Sequence, residues 1–173
     1  MKTLEELMDI VPEQFRKFYN FNDPKWTEDK KKKFVELANK LYDAGAVNPV
    51  SWASSEVNEN IPQFGRFLVL KNLFDIFRNT ELALEDAVMY GDDVEEKTEK
   101  IKSILGEESL NDFLQAYGRA IITSVIDLFD EGNRNMEEDG VSWYLSETDG
   151  DGEPTGRIIE ALHEDAEEFN EEG

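Results

Sequence analysis

From Ser109 to about Asp130 apolar residues return every three or four positions, and no other stretch constrains the fold as tightly. Leu110, Phe113, Leu114, Tyr117, Ile121, Val125 and Leu128 form one stripe, and Ile122, Ile126 and Phe129 widen it. That period admits a long α-helix and excludes a strand. A second segment, from about Pro62 to Arg78, is apolar over an equally wide arc, with Phe64, Phe67, Leu68, Phe74 and Phe77 on one stripe and Leu70, Leu73 and Ile76 on another. Helices apolar over so much of their circumference belong at the centre of a fold. These two are expected to be the central pair.

The remaining helices are read from their punctuation. Leu4, Leu7, Met8, Val11, Phe15 and Phe18 share a helical face that Pro12 interrupts. Asp23-Pro24, as a cap and first-turn proline, and Thr27 followed by Glu28 and Asp29 are two candidate starts of a helix that runs through Phe34, Leu37, Ala38 and Leu41 and stops at Gly45. A short helix follows Asn48-Pro49. Thr80 is expected to cap a helix from Glu81 to Tyr90, and another runs from about Asp92 to Leu105.

After Asn133 the period changes. Val141, Trp143 and Leu145 alternate with Ser142, Tyr144 and Ser146, the signature of a strand. Thr148 to Pro154 is dense in turn residues, and Thr155 to Ile159 can return as the partner strand. A last helix then runs to Phe169 with Leu162, Ala166 and Phe169 inward. Because a lone hairpin is marginal in water, it should lie against the helical body, burying one of Trp143 and Tyr144. The expected architecture is mainly α: a single-domain helical bundle over residues 1–132, with a small C-terminal β-hairpin and a terminal helix packed on it over residues 133–173.

Charge restricts the function. The chain carries 40 acidic and 18 basic residues, a formal net of −22, and from Asp127 onward 17 acidic residues face two basic ones. Such a field repels nucleic acid, whose binding depends on Lys and Arg meeting phosphates, and it repels anionic membrane surfaces. A basic protein would be steered toward it. No stretch approaches the apolar length of a membrane span, and Glu5 and Glu6 stand where a secretory leader needs an apolar run, so a cytoplasmic location is expected.

The catalytic repertoire is narrow. There is no cysteine, hence no thiolate nucleophile, thiolate metal site or disulfide. His163 is the sole histidine, so Glu160-Ala161-Leu162-His163 cannot supply both halves of a di-iron bundle site. Asp149-Gly150-Asp151-Gly152 resembles the start of a calcium loop. Counting from Glu147 places Ile158 at the closing position, and counting from Asp149 places Pro154 where glycine is required. A hairpin turn is the expected use. Ser142 or Ser146 with His163 lacks a nucleophile elbow, and neither glycine-rich phosphate-loop pattern occurs. Lys30 to Lys33 form the one basic cluster and read as a solvated helix face.

These observations lead to a non-enzymatic acidic binding protein of the inhibitor, immunity or DNA-mimic kind, engaging a basic protein and needing no cofactor. Its candidate contact residues are Trp143 and Tyr144 as aromatic anchors, with Asp149, Asp151, Glu153, Glu160, Glu164, Asp165, Glu167 and Glu168. Glu171 and Glu172 would extend that surface. Two other readings stand beside it: a carboxylate-based metal-dependent enzyme or metal-binding protein using the Asp149–Asp151 turn, and an accessory subunit held in an assembly by an exposed apolar patch. A homo-oligomer is compatible with the sequence.

Overall fold

The structure, a computed structural model, describes residues 1–134 and 136–170, which leaves Glu171 and Glu172 outside the described residues. It is mainly α-helical, with one two-stranded antiparallel sheet near the C-terminus. Among the described residues no helix is long and apolar enough to cross a membrane. The chain divides into two compact units: Met1–Leu68 with Leu145–Ile159, and Val69–Tyr144 with the chain from Glu160.

The first unit contains α1 (Leu4–Ile10), α2 (Glu13–Arg16), α3 (Glu28–Asp43), α4 (Pro49–Glu59), the start of α5 (Gln63–Arg78), β1 (Leu145–Thr148) and β2 (Pro154–Ile159). Thr3 and Glu6 form a reciprocal capping box on α1. The Thr27 hydroxyl accepts the Lys30 amide at the start of α3. Buried Asn39 clamps α1 to α3: its amide nitrogen donates to the Lys2 and Val35 carbonyls, and its oxygen accepts the Lys2 amide. An aromatic cluster of Phe21, Trp26 and Phe34, with ring centroids 4.7–5.5 Å apart, closes one end of this core. Trp52 meets Phe67 edge-on at 5.6 Å.

A buried charge network fastens the hairpin to these helices. The Arg157 guanidinium on β2 donates to Glu56 on α4 at 2.7 Å and to both carboxylate oxygens of Glu147 on β1 at 2.7 and 2.8 Å. Burial alone opposes its charge, but the hydrogen bonds to Glu56 and Glu147 outweigh that and hold its pKa above the ordinary value. The second Glu56 oxygen accepts the Phe64 amide, satisfying an orphan donor in the first turn of α5. Gly65 leaves room for the Ile159 side chain, since a Cβ there would sit 3.1 Å from Ile159 Cδ1.

The second unit contains the rest of α5, then α6 (Thr80–Ala87), a 3-10 turn (Val88–Tyr90), α7 (Val94–Leu105), α8 (Glu107–Glu131), α9 (Met136–Asp139) and α10 (Leu162–Asn170). Phe74 packs on Phe77 and on Phe169, with centroids at 5.3 and 5.4 Å. α8 passes close to α5 at Gly118, where a Cβ would lie 2.6 Å from Phe77 Cβ. Asp130, near the end of α8, caps α10 from outside: its carboxylate accepts the Leu162 and His163 amides at 2.9 Å each. Two orphan donors and the positive end of the helix dipole are satisfied by one side chain.

Several sequence expectations are corrected. The strand begins at Leu145, not Val141, and both Trp143 (47% exposed) and Tyr144 (67%) face solvent. The segment before β1 is instead tied to the end of α8: the Trp143 indole donates to the Leu128 carbonyl, the Asn133 side chain donates to the Val141 carbonyl, and the Ser142 hydroxyl accepts the Asn133 amide. The cap of α6 is Asn79, whose side chain accepts the Leu82 amide, because the Thr80 hydroxyl is drawn to Asn111 on α8. Most consequential, α8 turns inward on Leu110, Ile122 and Ile126, and part of its apolar stripe lies outside. Phe113 is 62% exposed, Tyr117 60%, Ile121 46% and Leu128 45%. Gly118 selects the inward face by admitting Phe77.

Candidate acidic interface

The second unit holds a cleft of about 930 Å³ between α6, α7 and the first half of α8. Helical spacing builds it. Glu81 and Glu85 lie four apart on α6, as do Glu95 and Glu99 on α7, so each pair presents both carboxylates on one face. Glu107 and Glu108 enter from the first turn of α8, where carboxylates complement the helix dipole. Leu84, Leu110 and Leu114 supply the apolar part of the lining.

Basic counterweight is sparse. Lys102 lies 3.6 Å from Glu99 and 3.9 Å from Glu107, and the Arg78 guanidinium is spent on the Phe169 carbonyl. Among the described residues Glu81, Glu85, Glu95 and Glu108 have no basic partner within 4 Å. An apolar floor under a carboxylate rim suits a cationic, amphipathic occupant better than an anion or a neutral polar molecule.

The residues singled out in the sequence fall in two groups. Asp149, Asp151 and Glu153 belong to the first unit, at the tip of the hairpin. There the Asp149 carboxylate accepts the Asp151 and Glu153 amides at 2.9 and 3.0 Å, so it organises the turn. Trp143, Tyr144, Glu160, Glu164, Asp165, Glu167 and Glu168 belong to the second unit. Glu160, Glu164 and Glu167 are exposed, while Asp165 and Glu168 are half-buried. Trp143 and α10 are fastened within one turn of α8, at Leu128 and Asp130, so an aromatic anchor and an acidic helix share one support.

His163 sits at that support. Its Nδ1 lies 2.8 Å from the Asp130 carboxylate, and that hydrogen bond, more than the neighbouring charges, raises the imidazole pKa above 6.5. Among the described residues no group of three or more His, Asp or Glu is arranged to hold a metal ion. The cleft carboxylates escaped sequence reasoning, although their signal was present as two successive i,i+4 glutamate pairs on short adjacent helices. No known protein family, curated protein or solved structure matches this chain.

Proposed function

We propose that this protein is a non-enzymatic, cytoplasmic binding protein that engages a basic partner protein, in the manner of an inhibitor, an immunity protein or a DNA mimic. The observation that carries the reading is the cleft of the second unit, where carboxylates without basic partners stand over an apolar floor. The acids of α10, with Trp143 and Tyr144 beside the end of α8, supply further negative surface on the same unit. A basic helix or loop would place apolar side chains against Leu84, Leu110 and Leu114, and Lys or Arg against the rim. Neither direct nucleic-acid contact nor an anionic membrane fits a chain of net charge −22.

The test uses a labelled amphipathic peptide with Lys and Arg on one helical face and Leu on the other, titrated by fluorescence anisotropy. Affinity should fall steeply with salt, because exposed charge pairs are screened beyond a Debye length of about 8 Å at physiological ionic strength. Replacing Glu81, Glu85, Glu95 and Glu99 by Gln should weaken binding about tenfold or more. An affinity insensitive to salt, or equal in the four-fold variant, would refute the cleft as the binding site.

A further inference from the structure

We propose that the outward face of α8 pairs with the same face of a second copy of this chain, forming a two-fold dimer. The inference is independent of the basic-partner reading and uses a different surface. From Phe113 to Ile126 the helix carries one charged residue, Arg119, and no carboxylate, in a chain with 40 acidic residues. Two copies each bearing −22 repel wherever their acidic surfaces meet, so the acid-free stretch from Phe113 to Ile126, flanked by Asp112 and Asp127, is where a second copy meets least repulsion.

The shape of the face is self-complementary. Phe113, Tyr117 and Ile121 stand four apart and form a ridge that Leu128 continues. Phe113 and Tyr117 are stacked, with rings 6.2 Å apart and 10° from parallel, and present one aromatic ledge. Beside that ridge Ala116, Ala120 and Ser124, also four apart and exposed, form a shallow row of small side chains. The ridge of one copy fits the row of the other, and the reverse, which is the packing of i±4 rows that crosses at about −50°. Such reciprocity is the mark of an isologous contact.

Two hydroxyls on this face are already satisfied. Thr123 and Ser124 donate their hydroxyls back to the Arg119 and Ala120 carbonyls at 3.0 and 3.1 Å. The Arg119 guanidinium lies over the Phe77 ring at 5.7 Å. Covering Thr123 and Ser124 therefore strands neither of those hydroxyl donors, which is the usual penalty for covering a helix surface. The exposed parts of Phe113, Tyr117, Ile121 and Leu128 amount to roughly 400 Å² per copy, taking an aromatic side chain as about 200 Å². With the small row and the helix flanks, the pair buries on the order of 1,200 Å², the lower bound for a specific interface.

Sedimentation and light scattering over a concentration series test the dimer, and the absence of native cysteine makes Ala120→Cys a single-thiol probe of the two-fold axis. The expected result is a concentration-dependent dimer that tightens with added salt, as screening relieves self-repulsion, whereas basic-peptide binding weakens under the same change. Tyr117→Glu should shift dissociation at least tenfold, with unchanged circular dichroism showing that the fold is retained. Ala120→Cys should form a covalent dimer on mild oxidation far faster than Asn22→Cys. A chain monomeric through the millimolar range with slow cross-linking at both cysteines, or a dimer indifferent to Tyr117→Glu, would overturn the proposal.

Discussion

Replacing Arg157 by Met removes the charge at the centre of the Glu56–Arg157–Glu147 network while keeping most of the side-chain volume. The substitution leaves buried Glu56 with only the Phe64 amide, and leaves Glu147 with the Thr155 hydroxyl. Breaking a buried pair by removing one partner costs about 3–5 kcal/mol, because a charge is stranded away from water. Here the Arg157 and Glu147 side chains keep 24% and 15% exposure, so water relieves part of the penalty and the lower end applies, about 3 kcal/mol. For a chain of this size that lowers the melting temperature by about 6–12 °C. Urea unfolding by circular dichroism gives the free energy, and amide exchange in β1 and β2 reports whether the loss is local. Glu56→Gln and Glu147→Gln added to Arg157→Met should restore most of the loss, since no charge is then stranded and Gln can still accept from Phe64. A single variant within about 0.5 kcal/mol of the parent at neutral pH would refute the network as the fastening of the hairpin.

Other consequences follow from single contacts. Because the Asp130 hydrogen bond raises the folded pKa of His163, the protonated pair stabilises fully below pH 6.5 and loses that contribution as pH rises through the folded value. The melting temperature should therefore fall more steeply as pH rises above 6.5 than in His163→Gln, and parallel curves would count against the pair. Asp130→Ala removes both amide caps of α10 and should cost about 2 kcal/mol, seen first as faster amide exchange in residues 162–169. Gly118→Ala gains about 1 kcal/mol of helix propensity but drives a methyl into Phe77. Overpacking of about 1–3 kcal/mol should dominate in thermal unfolding, so a stabilised variant would contradict the close approach. Millimolar calcium should leave the melting temperature unchanged, because Asp149 already serves the Asp151 and Glu153 amides.

Local chemistry made much of the fold readable. Pro49 in the first turn of α4 and the Asp149 turn act through bonds a few residues long and stand where the sequence places them, and of the two candidate starts of α3 it is Thr27, not Asp23-Pro24, that caps the helix. The orientation of α8 was not readable by the same means. The helix is apolar around most of its circumference, so periodicity identifies a helix without choosing which stripe turns inward. That choice rests on Gly118 meeting Phe77, 41 residues earlier in the chain, and a mid-helix glycine was the available sign of close approach. Strand onset failed for a related reason. Val141 to Tyr144 alternate correctly, but the Val141 carbonyl is taken by the Asn133 side chain and the Trp143 indole is drawn to Leu128 on α8. Arg157 passed as an ordinary strand residue because its carboxylate partners are 10 and 101 positions away. The acidic C-terminus drew attention by density, whereas the cleft on α6 and α7 is made by spacing.

The separation of Glu56 from Arg157 also bears on how the protein is made. The first compact unit takes its last strand from residues beyond 144, after the bulk of the second has been synthesised. A ribosome adding about 5–20 residues per second leaves Glu56 waiting on the order of 5–20 s for its guanidinium. During that interval, burying the carboxylate would leave it without its partner charge. Translation pauses ahead of residue 157 would prolong that incomplete state, and chaperones that hold nascent chains would meet Glu56 before its partner on β2 has been made.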